Sequence, residues 1–319
     1  MPLFKRSALI AAVLALFATV LTGCSSSDEQ AADVTELTVY SGRSEEYNGS
    51  ILTDWEKQSG IKLNIRYGDS AELAAQILEE GSNSPADLYI SQDAGALGAV
   101  SDAGLFIELG SEVAAEVPSK FVAANRTWVG MTGRARVLAY SPDRAKLLPK
   151  SFADLTKSEY KNKVGIAPTN ASFQTFVTAL IENKGEAFTK KWLEDMKANG
   201  AKIYAKNSII VEAIDKGEID LGLVNHYYIW ETSESLGRPV KADVSYFAPG
   251  DLGNLINVSG AGVLASSKKY AAAEDLINFL TSAPTQAKFV SDTHEYSLLP
   301  DAAAPTDVPT LDQIGAPAV

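Results

Sequence analysis

The sequence predicts an α/β fold in which a mainly parallel β-sheet is covered by crossover helices. Short β-rich runs alternate with helical segments along the chain, which is the pattern of such sheets. The β-rich runs are apolar and end in polar loops, as buried parallel strands do. Beyond its N-terminal segment, the 319-residue chain retains about 290 residues, a length more typical of two domains than of one.

The first third of the chain shows the alternation most clearly. Strands are predicted at 37–40, 61–67 and 86–90, with helices at 47–58 and 72–80. Ligands of parallel sheets bind in the crevice beyond the carboxyl ends of the strands. The loops 41–46 and 91–93 follow two such ends. We therefore expect ligand contacts from Ser41, Arg43, Ser44 and Gln92.

The remaining segments continue this pattern. Strands are predicted at 128–140, 164–168, 218–224 and 257–263, with helices from 172 onward and over 270–289. Arg134 and Arg136 lie two residues apart on the long strand 128–140, so their side chains project from one face. The tail from Pro300 is rich in Pro, Ala and Asp, and we expect it to lie on the surface or to fray.

The N-terminus has the pattern of an export signal. Lys5 and Arg6 precede an apolar run that is too short for a good membrane-spanning helix, which predicts a signal peptide over residues 1–23. Cys24 is the only cysteine, so an intrachain disulfide is excluded. The sequence Leu-Thr-Gly-Cys at 21–24 resembles the lipobox of bacterial lipoproteins, which implies a lipid anchor on Cys24 in the bacterial cell membrane. The alternatives are an uncleaved anchor and an exported protein with a buried thiol.

Composition and the absence of known catalytic motifs exclude several classes of function. Residues 24–36 are small and polar and predict a flexible tether. The formal net charge of −12 argues against nucleic acid as a partner. The sequence contains no serine-hydrolase elbow, zinc-protease helix or phosphate-binding loop. With two histidines and one cysteine it also lacks the ligands of a usual zinc site, so we do not expect an enzyme.

The most informative motif is Asn225-His226-Tyr227-Tyr228, directly after a predicted strand. A phenol has a pKa of about 10 and becomes a good ligand only when a strongly Lewis-acidic cation such as Fe³⁺ displaces its proton. In a continued strand the two side chains would point to opposite faces. In a helix they would project about 100° apart and could share one ion. The alternative is that both tyrosines only pack.

Two further features suit an anion. Thr169-Asn170-Ala171-Ser172 begins a predicted helix, where hydroxyls and free N–H groups attract negative charge. Arg134 and Arg136 could clamp an oxyanion with two hydrogen bonds. Taken singly, an ordinary helix cap and surface ion pairs explain these residues as well.

Five segments in order resemble the bacterial ferric-ion-binding proteins, the substrate-binding components of iron ABC transporters. They are Val39–Glu45, Ser84–Tyr89, Gly133–Val137, Ala167–Phe173 and Asn225–Tyr228. The resemblance extends from Val39 to about Leu299. It implies a two-lobed periplasmic-binding-protein type II fold whose two crossing hinge strands are 128–140 and 257–263. The implied division is lobe 1 at 37–134 and 258–308, lobe 2 at 135–257, and a tail at 309–319.

The resemblance also implies a ligand set. Tyr227 and Tyr228 match the paired iron-ligating tyrosines of the family, and Arg134 or Arg136 matches its anion-facing arginine. Residues matching the contacts to the anion are Asn170, Ala171, Ser172, Asn207 and Asn225. The first lobe departs from the pattern. Ser44 stands where many members carry a histidine, Glu45 where a tyrosine sometimes follows it, and Gln92 where some carry a glutamate. Glu45 or Glu46 replaces these ligands, or the first lobe contributes only water and anion contacts.

The resemblance predicts a monomeric extracytoplasmic lipoprotein that captures ferric iron with carbonate, phosphate or citrate. It would deliver the ion to a membrane permease driven by a cytoplasmic ATPase. The runner-up is a receptor of the same fold for a small organic anion or a phosphorylated solute, since related proteins bind phosphorylated sugars, polyamines or thiamine. The alternative of a different class is a cell-surface hydrolase with a carboxylate pair facing the cleft.

Overall fold

The computed structural model describes residues 34–317. The predicted signal peptide at 1–23, Cys24 and the tether as far as residue 33 lie outside the described residues. Within residues 34–317, no helix has both the length and the apolarity to cross a bilayer.

A ten-stranded sheet forms the centre of the described part of the chain. Its strands are β1 Glu36–Ser41, β2 Lys62–Tyr67, β3 Leu88–Ser91, β4 Val129–Tyr140, β5 Val164–Ile166, β6 Lys202–Ile203, β7 Leu221–Asn225, β8 Asp243–Ser245, β9 Ile256–Val263 and β10 Tyr296–Ser297. The order across the sheet is β2-β1-β3-β9-β4-β7-β5-β6, and β8 and β10 both pair with β4.

Helices cover the sheet and connect its parallel strands. They are α1 Glu45–Ser59, α2 Ser70–Glu80, α3 Ala94–Asp102, α4 Ala171–Lys184, α5 Glu186–Ala198, α6 Asn207–Lys216, α7 Tyr228–Leu236, α8 Tyr270–Thr281, α9 Ala283–Thr293 and α10 Leu311–Ile314. The predicted strands and helices are present with ends displaced by a few residues, except that the helix predicted over 270–289 is divided into two.

The long strand β4 joins two halves of the sheet. Residues 129–135 pair with β9, and residues 136–140 pair with β7, both antiparallel. The first half contains the parallel strands β1, β2 and β3, and the second half contains the parallel strands β5, β6 and β7. The strand predicted at 128–140 therefore belongs to both halves, and β9 lies beside its first part.

Each half has its own apolar core. In the first, Ile51, Leu52 and Trp55 form one face of α1, and all three are at most 1% exposed. Their helical spacing is the reason that the sequence predicted this helix. In the second half, the rings of Phe152, Phe176 and Trp192 pack edge to face. Burying each such side chain contributes about 1.5–3 kcal/mol, so both halves have substantial cores.

One predicted helix is divided in the structure. The segment 270–289 contains two helices, because Ser282 adopts an extended conformation between α8 and α9. Pro284 follows in the first turn of α9, where a missing N–H has little cost, whereas in a continuous helix it would break a hydrogen bond. The C-terminal segment returns to the second half, where Ile314 is 2% exposed.

Candidate metal centre

Three helices of the second half begin at the same edge of the sheet. The parallel strands β5, β6 and β7 are followed by the first residues of α4, α6 and α7, which are Ala171, Asn207 and Tyr228. A helix start presents unpaired N–H groups and a partial positive charge. This edge therefore favours anionic ligands and phenolates.

The tyrosine pair stands at the start of α7. Strand β7 ends at Asn225, and Tyr227 already has helical backbone angles of φ −68° and ψ −17°. The rings of Tyr227 and Tyr228 stack with their centroids 4.4 Å apart and their planes at 30°. The chain thus leaves the strand before the tyrosines, which is the condition for the two phenols to share one ion. Both tyrosines line the same cleft.

Tyr228 is neutral at ordinary pH unless a cation changes its surroundings. Burial raises the pKa of Tyr228 well above its usual value, and Tyr227 and Glu231 raise it further. Only a strongly charged ion bound to the oxygen would displace the proton at neutral pH. The surroundings of Tyr228 therefore favour the binding of highly charged cations over weakly charged ones.

Behind Tyr228, four polar side chains form one hydrogen-bonded cluster. Asn170 caps α4, and its Oδ1 accepts from Ser172 N–H at 3.1 Å and from Ser172 Oγ–H at 2.6 Å. Asn207 Nδ2 donates to the same Oδ1 and to Ser172 Oγ, both at 3.2 Å. Arg136 Nη1 donates to Ser172 Oγ at 3.2 Å. The structure thus brings together four residues that the sequence assigned to an anion.

Arg136 is a buried guanidinium with unused hydrogen-bonding capacity. It is 2% exposed, and its Nε has no partner among the described residues. Burial lowers the pKa of Arg136 to about 9. The charge of Tyr228 is the one interaction that raises this pKa. Since a buried charge is costly unless it is paired, an anion beside Arg136 would be strongly favoured. Asn225 faces Arg136 across the β4–β7 register.

Arg134 has a different environment, although it shares a strand face with Arg136. Its Nη1 donates to Gln92 Oε1 at 3.3 Å, and its Nε lies 3.8 Å from Glu295 Oε1. Arg43 Nη2 donates to the same Glu295 oxygen at 2.9 Å. Burial lowers the pKa of Arg43, but the charges of Glu295, Tyr47 and Tyr227 and the hydrogen bond to Glu295 together outweigh this and raise it. Arg134 thus shares a carboxylate with Arg43 within the first half, and its Nε and Nη2 have no hydrogen-bond partner among the described residues. Arg136 has no ion pair at all among the described residues.

The first loop is folded largely by its own hydrogen bonds. Ser41 Oγ donates to the Arg43 carbonyl at 2.9 Å and accepts from Arg43 N–H at 3.2 Å, so it supports the loop from within. Ser44 precedes α1 as its cap and lines the cleft. Glu45 is exposed and does not line the cleft, whereas Glu46 does.

Gly42 is required by close packing in this loop. A Cβ atom at this position would lie 2.1 Å from Ser70 Oγ. The same Ser70 Oγ accepts from Gln92 N–H at 2.9 Å, and Gln92 Nε2 donates to the Gly42 carbonyl at 3.2 Å. The absence of a side chain at Gly42 thus lets the two ligand loops of the first half meet.

The cleft has a volume of about 490 Å³. Its walls are formed by Arg43, Ser44, Glu46, Tyr47, Gln92, Tyr227, Tyr228, Glu231, Glu234, Asp292, Thr293 and His294. Sequence reasoning missed Tyr47, Glu231, Glu234 and the segment 292–294. Glu231 follows Tyr227 by four residues on α7, and this helical spacing could have indicated it.

Acidic and imidazole side chains alone do not make a metal site here. Within residues 34–317, no group of three or more His, Cys, Asp or Glu side chains is placed to hold a metal ion. A site with three or more ligands in the cleft would therefore need at least one ligand of another kind, and the stacked phenols of Tyr227 and Tyr228 are oxygen donors of that kind.

His226 fixes the segment that carries the tyrosines. The ring is fully buried, and its Nδ1 accepts from Ala135 N–H at 3.2 Å. Its Nε2 lies 2.7 Å from the His294 carbonyl, so the proton is on Nε2. Burial lowers the pKa of His226 to about 4, which keeps the ring neutral. His226 therefore connects the start of α7 to β4 and to the end of α9.

Comparison with known proteins agrees with this geometry. The model of the family described as bacterial extracellular solute-binding protein matches residues 83–313. The chain belongs to this family. Solute-binding proteins of this kind lie outside the cytoplasm and work with ABC transporters; the family binds solutes and is not a family of enzymes.

Two of the relatives of this solute-binding protein are named for ferric iron. It is 35% identical over 289 residues to the major ferric iron-binding protein of Neisseria meningitidis serogroup A, covering 89% of this chain and 87% of that protein. It is 34% identical over 289 residues to the Fe(3+)-binding periplasmic protein of Serratia marcescens, covering 89% and 85%. The predicted family resemblance is therefore confirmed.

The fold of the solute-binding protein matches a solved structure over nearly its whole length. Iron-bound HitA from Pseudomonas aeruginosa superimposes with a TM-score of 0.83 at 33% identity, covering 89% of this chain and 92% of that chain. The predicted two-lobed α/β fold is thereby confirmed.

Proposed function

We propose that this solute-binding protein captures ferric iron together with an anion and delivers it to an ABC permease. The observation that carries the proposal is the stacked pair of Tyr227 and Tyr228 at a helix start, beside the uncompensated charge of Arg136. Relatives at 34–35% identity are named as ferric-iron-binding proteins, which supports the same cargo here.

In this proposal, Tyr227 and Tyr228 bind Fe³⁺ as phenolates. Two phenolates leave one positive charge on the ion, so a further anionic ligand lowers the cost of enclosing it. Of the two carboxylates predicted for the first lobe, Glu45 lies outside the cleft lining and Glu46 lies within it, so Glu46 is the better candidate. Glu46, Glu231, Glu234 and Asp292 would together attract the cation to the cleft.

Carbonate, phosphate or citrate would bind between the iron and the cluster of Arg136. Ser172 and Asn207 would donate to it, and Ala171 would offer one of the unpaired N–H groups at the start of α4. Asn225 lies opposite Arg136 in the sheet and completes the proposed wall. Of the two candidates, Arg134 and Arg136, the proposal therefore assigns Arg136 as the arginine that faces the anion.

Replacing Arg136 tests the anion. We expect Arg136→Gln to weaken iron binding in bicarbonate by about 10- to 100-fold, because partners that orient a metal ligand typically contribute this much. Iron affinity would be measured by chelator competition at increasing bicarbonate concentrations. Arg144→Gln is the control, because it alters a partly buried ion pair whose residues do not line the cleft. A bicarbonate dependence equal to that of the wild type would show that Arg136 does not hold the anion.

We further propose the division into lobe 1 at 37–134 and 258–308 and lobe 2 at 135–257. The change of partner along β4, from β9 to β7, falls between residues 135 and 136 and supports this boundary. Lobe closure would be a hinge motion of two rigid bodies about β4 and β9. The C-terminal segment 309–319 would be a tail attached to lobe 2.

For location and partners, we propose a monomer anchored through a lipid on Cys24, with a permease and its ATPase as partners. The lipobox-like sequence at 21–24 supports the anchor. Cys24→Ser should move the protein from the membrane fraction to the soluble extracytoplasmic fraction. If the variant stays in the membrane fraction, a lipid on Cys24 is not the anchor.

A further inference from the structure

Tyr47 lies across the cleft from the tyrosine pair. It belongs to α1 of the first half, and its ring centroid is 6.0 Å from that of Tyr227, with the planes at 73°. Tyr227 in turn stacks on Tyr228 at 4.4 Å. Three phenol rings from the two halves therefore converge in one cleft, all among its lining residues.

Arg43 holds the ring of Tyr47 in place. The guanidinium carbon of Arg43 lies 3.9 Å from the centroid of that ring, a cation–π contact. Arg43 is itself fixed by its ion pair with Glu295 at 2.9 Å, and both side chains are buried. Because the ring is already ordered, little conformational freedom would be lost when its hydroxyl binds a ligand.

The hydroxyl of Tyr47 is not used inside the protein. Buried tyrosines normally find a hydrogen-bond partner. Tyr89 donates to the Ser70 carbonyl at 2.6 Å, and Tyr296 donates to the Pro309 carbonyl at 2.9 Å. Tyr47 is only partly buried, its ring forms part of the cleft wall, and its hydroxyl makes no such bond with any described residue. Its hydroxyl is thus a free oxygen donor at the site.

We propose that Tyr47 is a third phenolate ligand of the captured iron, supplied by the first half of the molecule. This inference rests on the proposed function. As each Fe–O bond forms, the phenol proton passes to solvent. Tyr47 would take the place of the histidine that is missing from the first loop, and it would couple iron binding to closure of the cleft, because the ion would join α1 to α7.

The charges of such a site balance. Three phenolates neutralise Fe³⁺, and Arg136 then compensates one negative charge of the bound anion. Neither charge would remain unpaired when the cleft closes, which avoids the large cost of burying an isolated ion. Arg43 and Arg134 share the single carboxylate of Glu295, which leaves one net positive charge beside the cleft for the second charge of a carbonate dianion.

The variant Tyr47→Phe tests the proposal, because it removes one oxygen and keeps the ring that packs on Arg43. Wild type, Tyr47→Phe and a Tyr67→Phe control, whose phenol does not line the cleft, would be titrated with ferric chloride in bicarbonate. We expect the phenolate-to-iron absorption of Tyr47→Phe to fall by about one third, since one of three phenolates is lost, and its iron affinity to fall at least about 10-fold.

The outcomes separate this inference from the proposed function. A Tyr47→Phe band equal to that of the wild type in position and intensity, with affinity within twofold, would show that Tyr47 only packs. The proposed function would stand in that case. If the folded wild-type protein gives no band, both proposals fail together. Folding of each variant would be verified by circular dichroism before titration.

Discussion

Replacing Tyr227 or Tyr228 with phenylalanine lowers the affinity for ferric iron by about 100-fold or more without unfolding the protein. Each substitution removes a proposed ligand oxygen but keeps the ring, so the stacking at 4.4 Å is retained. Partners that only orient a metal ligand contribute about 10- to 100-fold, so losing a direct ligand should reach or exceed the upper end of that range.

Competition with a chelator of known iron affinity measures this effect. Tyr270→Phe is a matched control, because Tyr270 is 37% exposed and its hydroxyl bonds to the Ala265 carbonyl at 3.4 Å, away from the cleft. If both cleft variants bind iron within twofold of the wild type, the pair serves only packing. Calorimetric binding of a small organic anion without iron, unchanged in both variants, would then favour the organic-anion receptor.

Glu295→Gln should be the most destabilising of the conservative substitutions in this region, at about 3–5 kcal/mol. Glu295 is 1% exposed and compensates two buried guanidinium groups, those of Arg43 and Arg134. It also accepts a hydrogen bond from Thr132 on β4. A neutral amide would leave two buried positive charges without a counterion, which is the costly way to break such a network.

Urea unfolding of the wild type and of Glu295→Gln, fitted with a common slope, gives the difference in free energy. Asp195→Asn is the control, since its ion pair with Lys191 is exposed and should contribute less than about 1 kcal/mol. An equally small loss for Glu295→Gln would mean that the buried arginines are compensated by something other than Glu295.

Most of the secondary structure could be predicted because each element carries its own local pattern. The apolar stripe of α1 and the buried run of β3 follow periods of helix and strand that depend only on neighbouring residues. The break between α8 and α9 was missed, although Pro284 marks it, because the apolar spacing continues through the break.

The tyrosine pair could be placed from sequence because the decisive feature is local. The strand ends at Asn225, and the helical conformation begins by Tyr227, so the two rings fall on the same side. The choice between Arg134 and Arg136 could not be made, because both point from one face of β4. Their environments differ through partners that are remote in sequence: Arg134 lies near Gln92 and Glu295, whereas Arg136 donates to Ser172.

The cleft residues contributed by the first half could not be predicted from local sequence patterns. Tyr47 lies on the same face of α1 as the buried apolar residues. Nothing in the sequence shows that Tyr47 contacts Tyr227, at the start of α7, and not the core. Arg43 and Glu295 are 252 positions apart. Contacts between residues so far apart in sequence depend on the order of the strands in the folded sheet. The order of the elements along the chain does not determine that strand order.

The most direct test is titration of the iron-free protein with Fe³⁺ in bicarbonate, followed by visible absorption. Ligation by the tyrosine pair predicts a phenolate-to-iron charge-transfer band that saturates at one iron per protein and is lost when Tyr227 and Tyr228 are both replaced by phenylalanine. A folded wild-type protein that shows no such band, or a band that survives in the double variant, would contradict ferric-iron capture by these two residues.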